Sequence, residues 1–122
     1  NRGAMIRALL YPDDTASRIE NRVADTTANP YYAFAAQILG GLSGITSGAA
    51  APPPTRTPYA KGATQLPDNL SAAIDAFEDS SLFRTALGDE FVDYLVHLKR
   101  AEWQRYLMTV SDWEQAEYFN LF

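Results

Sequence analysis

Arg18, Glu20 and Arg22 alternate with Ile19, Asn21 and Val23 in the stretch SRIENRVAD, residues 17–25. Residues two apart share one face of an extended strand, so a cation, an anion and a second cation would line one side. Arg2 and Arg7 come shortly before, in NRGAMIR at residues 1–7. Two arrangements give this pattern. One is a solvated strand whose cross-strand ion pairs contribute little. The other is a binding wall on which guanidinium forks grip phosphate or carboxylate oxygens and the carboxylate ligates a hard divalent ion such as Mg²⁺. The second is the equipment of phosphoryl transfer, where positive charge must gather around the moving group. The convergence of four arginines on one supersecondary unit favours it. Arg2 and Arg7 are five apart, so a regular strand would put them on opposite faces. Arg2 is therefore expected in the loop before the strand, or a bulge must intervene.

The elements that must position these groups are legible around them. Residues 3–10 and 17–23 read as two strands about the turn-forming YPDDTA, residues 11–16. A lone hairpin is marginal in water, so this one is expected to belong to a larger antiparallel sheet. Asn29–Pro30 supplies an N-cap followed by proline at the first helical position. The helix that follows is apolar with almost no charge, which predicts burial or close packing at Gly40, Gly41 and Gly44. Residues 46–67 form a Pro/Gly/Ala-rich connection long enough for a functional or subunit-contacting loop. Beyond it Asn69 caps one helix, SLFRTAL forms another stopped at Gly88, and the longest helix spans 89–110. That helix is expected to bury Phe91, Tyr94, Leu95 and Leu98, then Trp103, Tyr106, Leu107 and Val110. A last short helix starts from Ser111 or Asp112. The fold class is α+β: an active-site hairpin at 1–25, then about five helices over 29–122.

Composition narrows the function. A net charge of −5 in 122 residues argues against a general nucleic-acid or membrane-surface binder. The early arginines in an otherwise acidic chain point to a confined anion site. Without cysteine there are no disulfides and no thiolate metal sites. No apolar run approaches a membrane span and no signal-peptide pattern opens the chain, so a cytoplasmic location is the default. The chain begins at Asn1–Arg2 rather than methionine and is expected to be a piece of something longer. Other candidates are weaker. His97 lies alone in a helix, where packing or exposure explains it better than catalysis. Trp103, Tyr106 and Trp113 suit a core or subunit contact. Asp89, Glu90 and Asp93 sit at a helix start, where acids favour the dipole. Gly40–Gly41 lacks the surroundings of a phosphate loop.

Taken in order, NRGAMIR, SRIENRVAD and ANPYYAFAAQILGGLSGI, with the gap between Arg7 and Arg18, resemble the C-terminal half of the glutamine synthetase catalytic domain. LSAAIDAFEDS, ALGDEFVDYLVHLKRAEW and DWEQAEYFNLF carry the resemblance across essentially the whole chain. The closing stretch is similar to the branch containing γ-glutamylpolyamine synthetases. The resemblance implies a ligase that phosphorylates the γ-carboxylate of glutamate with ATP and lets ammonia or another amine displace the phosphate. It implies that Arg2 touches glutamate and the ATP phosphates, that Arg7 and Arg18 hold phosphate oxygens, that Glu20 ligates Mg²⁺ or Mn²⁺, and that Arg22 binds glutamate or its acyl phosphate. It also implies a ring-shaped homo-oligomer. The remaining metal ligands and the ammonium-side acid would precede this stretch, so the isolated chain is expected to be inactive. Two departures stand out: Thr15 where many relatives carry a nucleotide-binding lysine, and Asn21 in place of an apolar residue. A catalytically inactive oligomerisation or regulatory module derived from the family, and an unrelated helical binding protein with a salt-bridged hairpin, are the alternatives.

Overall fold

Two turns in succession reverse the chain between β1 (Ile6–Leu9) and β2 (Arg18–Asn21) in the computed structural model, which describes residues 3–121. The Asp14 amide donates to the Tyr11 carbonyl and the Ser17 amide to the Asp14 carbonyl. Asp13 takes a left-handed φ of 59°, a conformation that aspartate tolerates better than most residues. Ser17 then locks the mouth of the loop: its Oγ accepts from the Tyr11 amide at 2.9 Å and donates to the Tyr11 carbonyl at 2.7 Å. The strands pair antiparallel with Ile6 opposite Asn21, Arg7 opposite Glu20, Ala8 opposite Ile19 and Leu9 opposite Arg18. Both are shorter than the 3–10 and 17–23 expected from the sequence. Residues 3–5, expected within the first strand, run instead as a loop, and Arg2, expected in a loop before the strand, lies outside the described residues.

Asn29 caps α1 (Pro30–Thr46) as expected, its side chain accepting from the Tyr31 and Tyr32 amides. The helix ends in a Schellman arrangement: the Gly48 amide bonds to the Ile45 carbonyl and the Ala49 amide to the Gly44 carbonyl. That motif needs the left-handed φ of +64° at Gly48, which suits glycine. The expected burial of α1 is not found. None of its residues is buried, and the Cβ directions of Gly40, Gly41 and Gly44 meet open space. Three interior glycines in an exposed helix cost about 1 kcal/mol each relative to alanine, and nothing in the described chain offsets that.

The chain divides into two compact units, Asn1–Thr64 and Gln65–Phe122. Among the described residues, those with little solvent exposure belong to the second: Ile74, Val92 and Val96, with Leu70, Phe77, Phe83, Leu87 and Trp103 packed around them. Here α2 (Leu70–Glu78), α3 (Ser81–Leu87), α4 (Asp89–Leu107) and α5 (Asp112–Tyr118) follow one another closely. Their starts and stops follow the sequence. Asn69 accepts from the Ala72 amide, and Ser80 from that of Phe83. Gly88, at φ +85°, ends α3 and opens α4. Ser111 and Glu114 form a reciprocal capping box. Arg100 ties α4 to α2 through Asp75 at 2.9 Å and through Glu78. Arg84 reaches Asp89 at 2.8 Å and Asp93 at 3.0 Å, so these acids serve an ion-pair fork as well as the helix dipole. His97 is exposed.

The buried line on α4 differs from the expected stripe. Val92 and Val96 are inside, flanked by half-buried Leu95 and Trp103, whereas Tyr94, Leu98, Tyr106 and Leu107 are exposed. Val110 lies beyond the helix and is exposed too. The reason is that α2 and α3 are short, so they cover one narrow strip of α4 and the larger side chains beside it stay uncovered. No helix among the described residues is long and apolar enough to cross a membrane. Val92→Ala should therefore destabilise the second unit by about 2 kcal/mol, and Leu98→Ala by less than about 0.5 kcal/mol, in urea denaturation.

Candidate functional site

The register of the hairpin assembles the charged face. Met5, Arg7 and Leu9 lie opposite Arg22, Glu20 and Arg18, and all six project from the same side. Arg22 is one residue past β2, yet its amide still donates to the Met5 carbonyl at 3.0 Å, extending the pairing by one step. Glu20 sits between two cations. Its Oε2 is 3.5 Å from Arg7 Nη1 and its Oε1 is 3.1 Å from Arg18 Nη2. The Glu20 side chain is 30% exposed and both arginines 55%, so the group faces solvent on a partly sheltered base. Each carboxylate oxygen meets one guanidinium and keeps a lone pair for a further ligand.

Arg18 and Arg22 are also anchored to the backbone. Arg18 Nη1 donates to the Ala16 carbonyl at 3.1 Å, and Arg22 Nη2 to the Ala4 carbonyl at 2.7 Å. Such bonds orient the guanidinium planes before any anion arrives. On the other face Ile19 is exposed, and the Asn21 side chain turns to accept from the Val23 amide, in keeping with a strand rear that is not deeply buried here. Thr15 lies exposed in the second turn of the loop. Of the five residues singled out from the sequence, the structure brings Arg7, Arg18 and Glu20 into contact and sets Arg22 on the same face. The Ala4 carbonyl and the Ser17 lock were not anticipated. A serine bonding across to the first residue of a turn-rich loop leaves a recognisable signal, but a backbone carbonyl chosen by a distant arginine leaves none.

Downstream, Asp25 Oδ1 accepts from the Thr27 hydroxyl at 2.6 Å and the Thr27 amide at 2.7 Å, turning the chain toward the α1 cap. These two bonds hold the Asp25 carboxyl below its ordinary value of 3.8.

The family profile described as "Glutamine synthetase, catalytic domain" matches residues 1–118. A gamma-glutamylanilide synthase from Acinetobacter sp is 42% identical over 133 aligned residues, which cover 99% of this chain and 27% of that protein. A glutamine synthetase from Methanocaldococcus jannaschii is 37% identical over 127 residues, covering 97% and 28% respectively. One from Mycobacterium tuberculosis is 36% identical over 132 residues, covering 99% and 30%. The chain thus spans less than a third of the length of these curated relatives.

Replacing Thr27 with valine should raise the Asp25 pKa toward 3.8, followed by carboxyl NMR titration. Because the folded value is depressed, the stabilisation from this turn is fully present above the unfolded pKa. It is lost as the pH falls through the lower folded value, so the 25–28 turn should loosen only in strong acid.

Proposed function

We infer that this chain, which belongs to the glutamine synthetase family through its catalytic domain, supplies the anion-binding wall of an ATP-dependent glutamate–amine ligase. The observation that carries the reading is the single hairpin face on which Arg7 and Arg18 flank Glu20 and Arg22 continues the row. The reaction transfers the γ-phosphoryl group of ATP to the γ-carboxylate of glutamate, giving ADP and γ-glutamyl phosphate. The amine then attacks the acyl carbon, the carbon–oxygen bond to phosphate breaks, and the amine loses a proton as the amide forms. Arg7 and Arg18 are assigned to phosphate oxygens, where fixed guanidinium charge offsets the charge on the transferring group. Arg22 is assigned to glutamate and its acyl phosphate, and Arg2, by resemblance, to both substrates.

Glu20 is assigned as one ligand of Mg²⁺ or Mn²⁺. The described residues hold no cluster of three potential metal ligands. Each Glu20 oxygen keeps a lone pair beside its arginine contact, which fits one ligand of an ion whose other positions would be filled by substrate phosphates, water or further groups, as is common for Mg²⁺. When bound, the ion would add charge neutralisation on the phosphates. The chain is assigned to the C-terminal part of the catalytic domain, and alone it should show no turnover.

The acceptor is ammonia or an organic amine. The 42% identity to a gamma-glutamylanilide synthase supports the organic-amine alternative, of which polyamines are a further member. Assaying ammonia, aniline and polyamines side by side separates these. The exposed apolar side chains of α1, among them Tyr31, Phe34, Ile38 and Ile45, support contacts with the rest of a larger, homo-oligomeric and ring-shaped protein.

In the full-length protein, Arg22→Ala should lower glutamate-dependent turnover by about 100-fold or more. Steady-state assays decide it, and activity within a few-fold of wild type would remove Arg22 from the site. Glu20→Gln keeps shape but loses the charge a hard cation needs. It should raise the Mg²⁺ or Mn²⁺ requirement more than the KM for glutamate, and an unchanged metal dependence would leave Glu20 as an ion-pair partner only.

A further inference from the structure

The Pro-rich segment 46–67 returns to the start of the hairpin. At its tip the Ala60 amide bonds to the Thr57 carbonyl and the Ala63 amide to the Ala60 carbonyl, the second turn aided by the left-handed Gly62 at φ +88°. Tyr59 and Pro58 lie against Gly3 so closely that a Cβ there would fall 2.5 Å from Tyr59 Cζ and 2.8 Å from Pro58 Cγ. A side chain at position 3 would therefore force Tyr59 and Pro58 to shift away. The next residue is Ala4, whose carbonyl accepts from the Arg22 guanidinium at 2.7 Å. Met5, after it, accepts from the Arg22 amide. Both of these Arg22 bonds end on the short segment that the loop presses upon.

We propose that Tyr59, with Pro58, is a positioning residue for Arg22. The ring fixes Gly3, Gly3 fixes the Ala4 carbonyl, and that carbonyl sets the guanidinium. Tyr59 itself remains 82% exposed, so its contribution is this one contact rather than core packing. The long connection thereby acts as a brace for the glutamate side of the wall, and this role rests on the ligase reading above.

The test compares the wild-type full-length protein with Tyr59→Ala, Tyr59→Phe and Gly3→Ala. Tyr59→Ala and Gly3→Ala should raise the KM for glutamate by about fivefold with a smaller loss of kcat, because Arg22 is misplaced rather than removed. Tyr59→Phe, which keeps the ring, should behave as wild type. In parallel, trypsin should cleave after Arg56 and Lys61 faster in Gly3→Ala than in wild type, which reads the contact without reference to activity. Wild-type turnover with unchanged glutamate KM in both disruptive variants would overturn the role of Tyr59 and leave the ligase reading standing. Equal trypsin cleavage would overturn the contact. Absence of glutamate-dependent turnover in the wild type would overturn the ligase reading, and with it the assignment built upon it.

Discussion

The cross-strand pairing of Arg7 with Glu20 is the constraint on which the charged face depends. It sets the hairpin register from within, since a slip of one residue would carry Arg18, Glu20 and Arg22 together to the opposite face and leave Arg7 without its carboxylate. Ser17 sets the same register from the loop end by gripping Tyr11. As stabilisation the ion pairs matter little: groups this exposed contribute from zero to about 1 kcal/mol. Their consequence is placement. Two guanidinium groups are held around one carboxylate, and a third is tied to the backbone a step further along the same face.

Arginine clusters elsewhere in the chain show how composition alone misleads. Arg84 and Arg100 also meet pairs of carboxylates, and the hydrogen bonds they donate to those acids raise both guanidinium pKa values further above an already high one. Each cation there links two helices of one unit, α3 to α4 through Arg84 and α4 to α2 through Arg100, with carboxylates outnumbering it. On the hairpin the ratio is reversed, with arginine in excess over Glu20. An excess of cation on a face aimed at solvent suits an anion, whereas an excess of acid around one arginine suits a brace between helices.

Most element boundaries were legible because they rest on local chemistry. Asn29, Asn69, Ser80 and Ser111 each accept from amides of the second or third residue of their helices, and Gly88 breaks the chain where only glycine is comfortable. The α4 stripe was not legible, because which side of a helix is covered depends on the length of its neighbours. Large aromatic side chains drew attention there, while two valines form the buried line. The exposure of α1 was not legible either, since an apolar sequence does not say what covers it. Within the site, residue types and spacing sufficed for Arg7, Arg18 and Glu20, where strand alternation does the placing. The bracing of Arg22 by Ala4, and of Gly3 by Tyr59, joins residues distant in sequence and has no periodic signature.

If the hairpin face serves glutamate phosphorylation, the γ-carboxylate oxygen of glutamate must leave with the phosphate. The direct measurement is oxygen transfer in the full-length protein, using glutamate labelled with ¹⁸O in its γ-carboxylate together with ATP, Mg²⁺ and an amine. The account predicts inorganic phosphate carrying one labelled oxygen for each amide formed. Unlabelled phosphate, or phosphate release that does not depend on glutamate, would contradict it.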